Sequence, residues 1–292
     1  GFMNFLNNFI YGLGLGGIYA MIALGYTMGY GIGKMLNFAH GDIIMVGAFT
    51  IFTAASTLAM PVPVAILIGV LVCMIFGVVI EKIAYKPLRS ASSLTVLITA
   101  IGVSIFLQSL ASIVFGTMKK AFPTVSLGNI NIGGLSISGT TLLSLGSSVV
   151  IMVLLTLFIK MTSTGRAMLA VSEDKGAAEM MGINVNKTIT ITFAIGSALA
   201  AIASLCYGAT YTFIGPYIGQ MPGIKAFVAA VLGGIGSIPG AMLGGLILGI
   251  VEKLTQAYID PNYVDAIVFA ILIIVLLIKP SGLLGKKRND KV

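Results

Sequence analysis

Nine apolar runs dominate the sequence, and short polar gaps separate them. A helix needs about 20 apolar residues to cross the hydrocarbon core of a bilayer. Most of the runs have that length, so the pattern predicts an all-α protein, a polytopic transmembrane helical bundle of eight or nine spans. The runs cover residues 5–31, 43–60, 62–80, 93–116, 140–159, 188–214, 223–235, 238–257 and 264–278.

One of these runs, residues 223–235, is too short to cross a bilayer comfortably. The segment after it contains Gly236, Pro239 and Gly240, residue types that interrupt helices. Irregular backbone at membrane depth is tolerated only where it is buried in protein or lines a wet cavity. The sequence therefore predicts a broken or half-length helix, and these three residues are candidates for lining a passage.

The composition supports a membrane protein. Hydrophobic residues make up 58% of the chain and charged residues only 9%, whereas soluble domains carry about a quarter charged residues. The net charge of +8 does not indicate nucleic-acid binding, because the basic residues lie in short gaps between apolar runs. We expect one transmembrane domain over residues 1–292, with the lipid bilayer as its surroundings.

The basic gaps predict the orientation of the chain. Lys and Arg concentrate at 81–92, in a long loop at 160–187 and in a tail at 279–292, so these segments are expected in the cytoplasm. The gap at 117–139 is poor in basic residues and is expected to be the outer loop. Nine crossings then place the N-terminus outside and the C-terminus inside. The first 33 residues contain no Lys or Arg, so we expect no cleavable signal peptide.

The loop at 160–187 has the signals of a short amphipathic helix at about 173–181. Ser172 is a suitable N-cap, Glu173 and Asp174 suit the positive end of a helix, and Gly182 suits its end. Such a helix could dock into a partner protein or lie on the membrane surface, and both interpretations stay open. The side expected to face a partner carries Ala177, Met180 and Met181.

A polar segment lies between the first two runs. It contains Asn37, Asp42 and His40, the single histidine of the chain. One interpretation is local: the two flanking residues cap helix ends, and the histidine is hydrogen-bonded in a turn. The other is a gate, in which these polar groups close a passage from the cytoplasmic side.

The segment 219–249 holds three G-x-x-x-G spacings, which begin at Gly236, Gly240 and Gly245. Such spacings place glycines on one helix face, either for close packing or for a passage lined by backbone.

The same segment contains Lys225 and Glu252. Glu252 lies 13 positions after Pro239, or about 20 Å along a helix at about 1.5 Å per residue. The two charges should therefore lie at similar depth and form an ion pair, with Lys253 as a competing partner.

Several chemistries are excluded by residues that the sequence lacks. No Walker A pattern occurs, so any ATP and Mg²⁺ should be bound by other chains and no cofactor by this one. Cys73 and Cys206 lie inside apolar runs and are expected to be reduced thiols, with no metal site and no disulfide. One histidine and two scattered cysteines do not make an enzyme.

Six strings of residues resemble the LivH-type permeases of high-affinity branched-chain amino acid ABC importers. The resemblance runs from about residue 8 to 285, and its most specific string is the last one. The outer loop at 117–139 does not share it. The strings are Gly25–Gly31, Leu36–Asp42, Leu97–Gln108, Gly165–Ala167, Pro216–Gly219 and Lys225–Gly245.

The resemblance implies a transporter subunit in the inner membrane of a bacterium. Its partners would be a second, related permease, two ATPase subunits inside and an amino-acid-binding protein outside, and its cargo leucine, isoleucine and valine. Related permeases for urea or short amides are the alternative, followed by an ATP-independent channel.

Two groups of residues follow from the resemblance and from the patterns above. The group expected to couple the permease to the ATPase is Gly165, Arg166, Glu173, Asp174, Ala178, Met181 and Gly182. The group expected along the translocation path or at its gate is Asn37, His40, Asp42, Lys225, Gly236, Pro239, Gly240 and Glu252.

Overall fold

A computed structural model describes residues 1–123 and 126–286, and helices dominate it. Each of the nine predicted apolar runs forms a helix, and two further helices lie in the loop at 160–187. Within the described residues the helices are α1 (Phe2–Gly33), α2 (His40–Phe52), α3 (Val62–Ile80), α4 (Ser93–Phe115), α5 (Gly139–Met161), α6 (Ser163–Glu173), α7 (Lys175–Met180), α8 (Val185–Tyr211), α9 (Gln220–Gly233), α10 (Ile238–Tyr258) and α11 (Val264–Ile278).

Seven helical segments are long and apolar enough to cross a membrane, counted over the described residues. They are α1, α3 with its extension to Leu88, α4, α5, α8, α10, and α11 with the turn before it. The predicted helical bundle is therefore confirmed, and α9, with 14 residues, is the short helix that was expected. The number of full spans stays a prediction.

The run 43–60 does not form one continuous α-helix, as the sequence suggested. Helix α2 ends at Phe52, and a π-helical turn at Thr53–Thr57 follows it. Ala59 then adopts a left-handed conformation with φ 52°. Pro61 lies two residues further on, and a proline disfavours helical backbone at the residue before it, here Met60.

Helices α1 and α8 form the centre of the bundle. In its most apolar stretch α1 is 78% buried, and it packs mainly on α10, α8 and α5. Helices α4 and α5 are each 22% buried in the corresponding stretch, and α11 is 11% buried. Most of their exposed side chains are apolar, which suits surfaces that face lipid rather than water.

The contact between α1 and α10 depends on glycines. A Cβ atom on Gly16 would lie 2.7 Å from Leu246 Cα, and one on Gly12 would lie 2.8 Å from Ile250 Cα. A Cβ on Gly245 or Gly249 would likewise overlap the backbone of α1. The tight-packing interpretation of these spacings is therefore correct for the glycines in α10.

The predicted helix break lies between α9 and α10, at residues 234–237. Gly236 belongs to this turn, with φ +93°, so it does not share a helix face with Gly240 as its spacing suggested. The Ser237 hydroxyl caps α10 by accepting a hydrogen bond from Gly240 N at 3.1 Å. The start of the tail closes the other side, since Leu283 N and Leu284 N donate to Leu232 O and Gly233 O at 2.9 Å.

Short strands occupy the segment predicted as the outer loop, which the all-α prediction missed. β1 (Lys120–Ala121) pairs with β4 (Phe213–Ile214), and β2 (Asn129–Ile132) pairs with β3 (Leu135–Ser138), both antiparallel. β2 and β3 alternate polar and apolar residues around a Gly133-Gly134 turn, a hairpin signal. Residues 124–125 of this loop and 287–292 of the tail lie outside the described residues.

Candidate functional site

The predicted helix at 173–181 exists, but it begins two residues later than expected. Glu173 ends α6, and Asp174 is the N-cap of α7, where its Oδ1 accepts from Ala177 N at 2.9 Å. Ser172 does not cap the helix, because its hydroxyl donates to Leu169 O at 2.6 Å within α6. A carboxylate favours the positive end of a helix, which explains why Asp174 takes this position.

Gly182 ends α7 as predicted. It has φ +86°, and its N–H donates to Glu179 O at 3.0 Å while Ile183 N donates to Ala178 O at 3.1 Å. These two bonds make the Schellman motif. The start and the end of α7 are therefore both fixed by residues within the segment 174–183.

The expected docking side of α7 is exposed. Met180 and Met181 are 88% and 82% exposed, and Ala177 is also exposed, whereas Ala178 packs inward. Arg166 is exposed on α6, while Gly165 is buried where α6 turns back on Phe158 and Ile159 of α5. Of the predicted coupling group, Gly165 and Ala178 thus hold the segment in place, and Arg166 and Met181 are accessible.

Lys175, which the sequence did not single out, connects α7 to the end of α1. Its Nζ donates to Gly33 O at 3.1 Å. Partial burial and the neighbouring Arg89 and Lys34 cations lower the pKa of Lys175. The sequence carries no signal for this contact, because residues 33 and 175 meet only in the folded chain.

The polar segment before α2 is tied into the bundle. Asn37 Oδ1 accepts from Ala39 N at 3.1 Å and from the Tyr85 hydroxyl at 2.7 Å. Asp42 was expected to cap a helix end, but its Oδ1 accepts from Gln108 Nε2 of α4 at 2.9 Å. The local-capping interpretation is thus wrong for both residues, because the N-cap of α2 is Ala39 and no side chain caps that helix end.

His40 is the first residue of α2, and it is 4% exposed. Its ring packs edge-on against Tyr26, with 5.0 Å between the ring centroids. Among the described residues its Nε2 has no hydrogen-bond partner, so the expectation that His40 is hydrogen-bonded in a turn is not met for this atom. Nε2 faces Gly25, since a Cβ atom on that glycine would overlap it.

A cavity of about 20 Å³ lies beside His40, at the junction of α1, α2 and α8. This volume suits one water molecule and is far too small for an amino acid. Asn37 and His40 line it, whereas Asp42 does not. The other lining residues are Gly25, Tyr26, Gly29, Thr192, Phe193, Gly196 and Ser197.

The predicted ion pair between Lys225 and Glu252 is present. Lys225 Nζ lies 3.2 Å from Glu252 Oε1 and also 3.2 Å from Asp265 Oδ1. The Tyr19 hydroxyl donates to Glu252 Oε2 at 2.7 Å. Lys253 does not compete, since its Nζ contacts Gln256 Oε1 at 3.4 Å.

A second buried carboxylate was not predicted as a site. Glu81 is completely buried in a π-helical turn, Glu81–Tyr85, that continues α3. It forms an ion pair with Arg89 and accepts from the Thr190 hydroxyl at 2.9 Å. Its position directly after the apolar run 62–80 was the available signal. The pair fastens the loop after α3 to α8.

The candidate path residues fall into separate places. Asn37 and His40 share the cavity, and Lys225 and Glu252 form the ion pair. Gly236 lies in the turn between α9 and α10, and Pro239 and Gly240 lie in the first turn of α10. The structure brings them together in these small groups rather than in one site.

Known proteins place the chain in a family. Residues 8–276 match the family described as the branched-chain amino acid transport system / permease component. The chain belongs to this family. The resemblance to LivH-type permeases is thereby confirmed, and with it the prediction of a permease.

Individual relatives match over their full length. The high-affinity branched-chain amino acid transport system permease protein LivH of Salmonella typhimurium is 44% identical, over 100% of this chain and 99% of its own. BraD of Pseudomonas aeruginosa is 44% identical over 99% and 98%. A solved structure of PsaBC from Streptococcus pneumoniae in complex with Fab covers 95% of this chain and 92% of its own, at 18% identity and a TM-score of 0.48.

Proposed function

We propose that this chain is the permease subunit of an ABC importer that moves leucine, isoleucine and valine into a bacterial cell. The observation that carries the proposal is the 44% identity to LivH and BraD over essentially the whole chain. Import permeases for ribose and fructose are more distant, at 26% and 28% identity over part of the chain. Urea or short amides are the alternative cargo.

The importer needs partners that this chain does not contain. We propose a second, related permease beside it, two ATPase subunits that bind ATP and Mg²⁺ inside, and an amino-acid-binding protein outside. We place the importer in the inner membrane, with the N-terminus of this chain outside and its C-terminus in the cytoplasm. The basic loops at 81–92 and 160–187 support this orientation.

Helix α7 is the proposed contact with the ATPase. Its exposed methionines can enter a groove on a partner, and methionine adapts well to such surfaces. The segment is held firmly enough to transmit force, because its caps, Ala178 and Lys175 fix it to the bundle.

The cargo is a zwitterion, so its path must shield both charges from the apolar interior. The cavity at His40 is too small for it, which favours a path between this chain and the second permease. Asn37, His40 and Asp42 would gate that path, and Lys225, Glu252 and the turn at 236–240 would border it.

The test is reconstitution of the chain with its ATPases and binding protein in liposomes. Leucine-loaded binding protein should stimulate ATP hydrolysis and leucine uptake, and unloaded binding protein should stimulate less. If only a urea- or amide-loaded receptor stimulated ATP hydrolysis and uptake, the cargo would be urea or an amide and not leucine. Solute conduction without ATP would refute the importer.

Two methionines of equal exposure test the contact surface. Met181, the C-cap of α7, and Met118 on the predicted outer loop are both 82% exposed. Met181→Glu should reduce co-purification of the ATPase about tenfold, since it places a charge in an apolar contact. Met118→Glu is the matched control and should leave ATPase binding unchanged. Equal behaviour of the two variants would remove α7 from the ATPase contact.

A further inference from the structure

The linker between α1 and α2, residues 34–39, is held at both ends by side chains from distant parts of the chain. At one end Lys175 Nζ donates to Gly33 O, immediately before the linker. Near the other end the Tyr85 hydroxyl donates to Asn37 Oδ1. One of these contacts comes from α7 and the other from the π-helical turn after α3.

The bond from Lys175 is stronger than an ordinary surface contact. Gly33 is the last residue of a helix of 32 residues, and the final carbonyls of a helix lack partners and carry partial negative charge. An ammonium group that donates to such a carbonyl makes a charge-assisted bond. Lys175 is also half-buried, so water competes less for its donors.

The linker itself is short and turned sharply. Lys34 has φ 57°, a left-handed conformation that non-glycine residues adopt only when their surroundings hold them there. Asn37 Oδ1 accepts from Ala39 N, directly before α2 and His40. A displacement of Gly33 therefore has only a few residues in which to dissipate before it reaches α2.

We propose that Lys175 is a positioning residue that transmits the displacement of α7 to the linker 34–39 and so to the start of α2. A hydrogen bond of this kind tolerates only a few tenths of an ångström of stretching. Movement of α7 thus either carries the end of α1 with it or breaks the bond. This inference rests on the proposed function, in which ATPase motion acts on α7.

Lys175 can be removed without unfolding α7. The cap at Asp174, the Schellman motif at Gly182 and the packing of Ala178 do not involve its side chain. Lys175→Ala should therefore keep α7 folded, with Met180 and Met181 exposed, and should still assemble with the ATPases. Lys187→Ala is the matched control, since Lys187 is an exposed lysine of the same loop.

In liposomes, Lys175→Ala should lower ATPase stimulation by leucine-loaded binding protein about tenfold, the size of a typical coupling effect. The half-saturating concentration of binding protein should not change, because the outer docking site is untouched. Lys175→Arg retains a cationic donor and should recover part of the stimulation. Stimulation in Lys175→Ala equal to that in Lys187→Ala would overturn the inference.

Hydrogen exchange of the assembled complex gives a second measurement. In the unsubstituted protein, exchange at residues 34–39 should change when ATP binds, and in Lys175→Ala it should not. An ATP-dependent change that persists in Lys175→Ala would also overturn the inference. If the unsubstituted complex shows no stimulation at all, the proposed function fails instead, so the two failures are distinguishable.

Discussion

Two buried polar sites in this bundle follow different rules. In the charged site, Lys225 contacts Glu252 and Asp265, and Tyr19 donates to Glu252. In the neutral site around His40, the histidine Nε2 has no hydrogen-bond partner in the part of the chain that the structure describes. Both sites contain groups that water solvates well, yet only the charged one is saturated with partners.

The difference follows from the cost of leaving a group unpaired. A buried charge without a partner costs several kcal/mol, whereas an unpaired neutral polar atom costs about 1–3 kcal/mol. A fold can therefore tolerate an unpaired neutral atom beside a cavity or a moving segment, but not an unpaired charge. Charged residues should therefore be sensitive to substitution at the first site, and His40 should be tolerant at the second.

The largest effect is expected at Lys225. Lys225→Met removes the cation between two carboxylates and should destabilise the protein by about 3–5 kcal/mol, as in other broken buried pairs. Unfolding in mixed detergent micelles measures the loss. Adding Glu252→Gln should recover part of it, because no buried carboxylate then remains beside Tyr19.

Lys253→Met provides the control for the charged site. Lys253 is adjacent to Glu252 in sequence, but its Nζ contacts only the Gln256 side chain among the described hydrogen bonds. Its replacement should cost less than about 1 kcal/mol, as for a partly exposed polar contact. If both lysine variants were equally stable, the ion pair would contribute nothing to the fold.

An intermediate effect is expected at Gln108, which lies between the two extremes because it is a neutral donor to a carboxylate. Gln108→Met keeps the length of the side chain but removes the hydrogen bond to Asp42. The expected loss is about 1–3 kcal/mol, the cost of an unsatisfied buried acceptor. Ser109→Ala, at an exposed neighbouring position of α4, is the control. A loss no larger than that of Ser109→Ala would mean that Asp42 needs no donor from α4.

The sequence predicted those contacts that depend on local periodicity. The Lys225–Glu252 pair follows from the rise of a helix after a break, and the end of α7 follows from the preference of glycine for a positive φ. Tyr19 and Asp265 could not be predicted as partners of the same pair, because α1 meets α10, and α11 meets α9, only through tertiary packing.

The prediction at the start of α7 failed for a related reason. Ser172 and Asp174 are both good N-caps, and the choice between them depends on where α6 ends, which periodicity does not fix. The sequence of β2 and β3 alternates polar and apolar residues, but the segment was predicted as a loop, so the hairpin was not predicted. The contact between Lys175 and Gly33 joins residues 142 positions apart and had no sequence signal at all.

The smallest effect is expected at His40. Since no described residue bonds its Nε2, His40→Leu removes a polar atom without a protein partner, and stability should change by less than about 1 kcal/mol. His40→Ala should cost more, because it enlarges the cavity between α1, α2 and α8. If the leucine variant lost as much stability as the alanine variant, Nε2 would have to be hydrogen-bonded in the membrane. A water molecule is the partner that a cavity of about 20 Å³ admits. In that case the buried polar groups of both sites would be hydrogen-bonded or ion-paired.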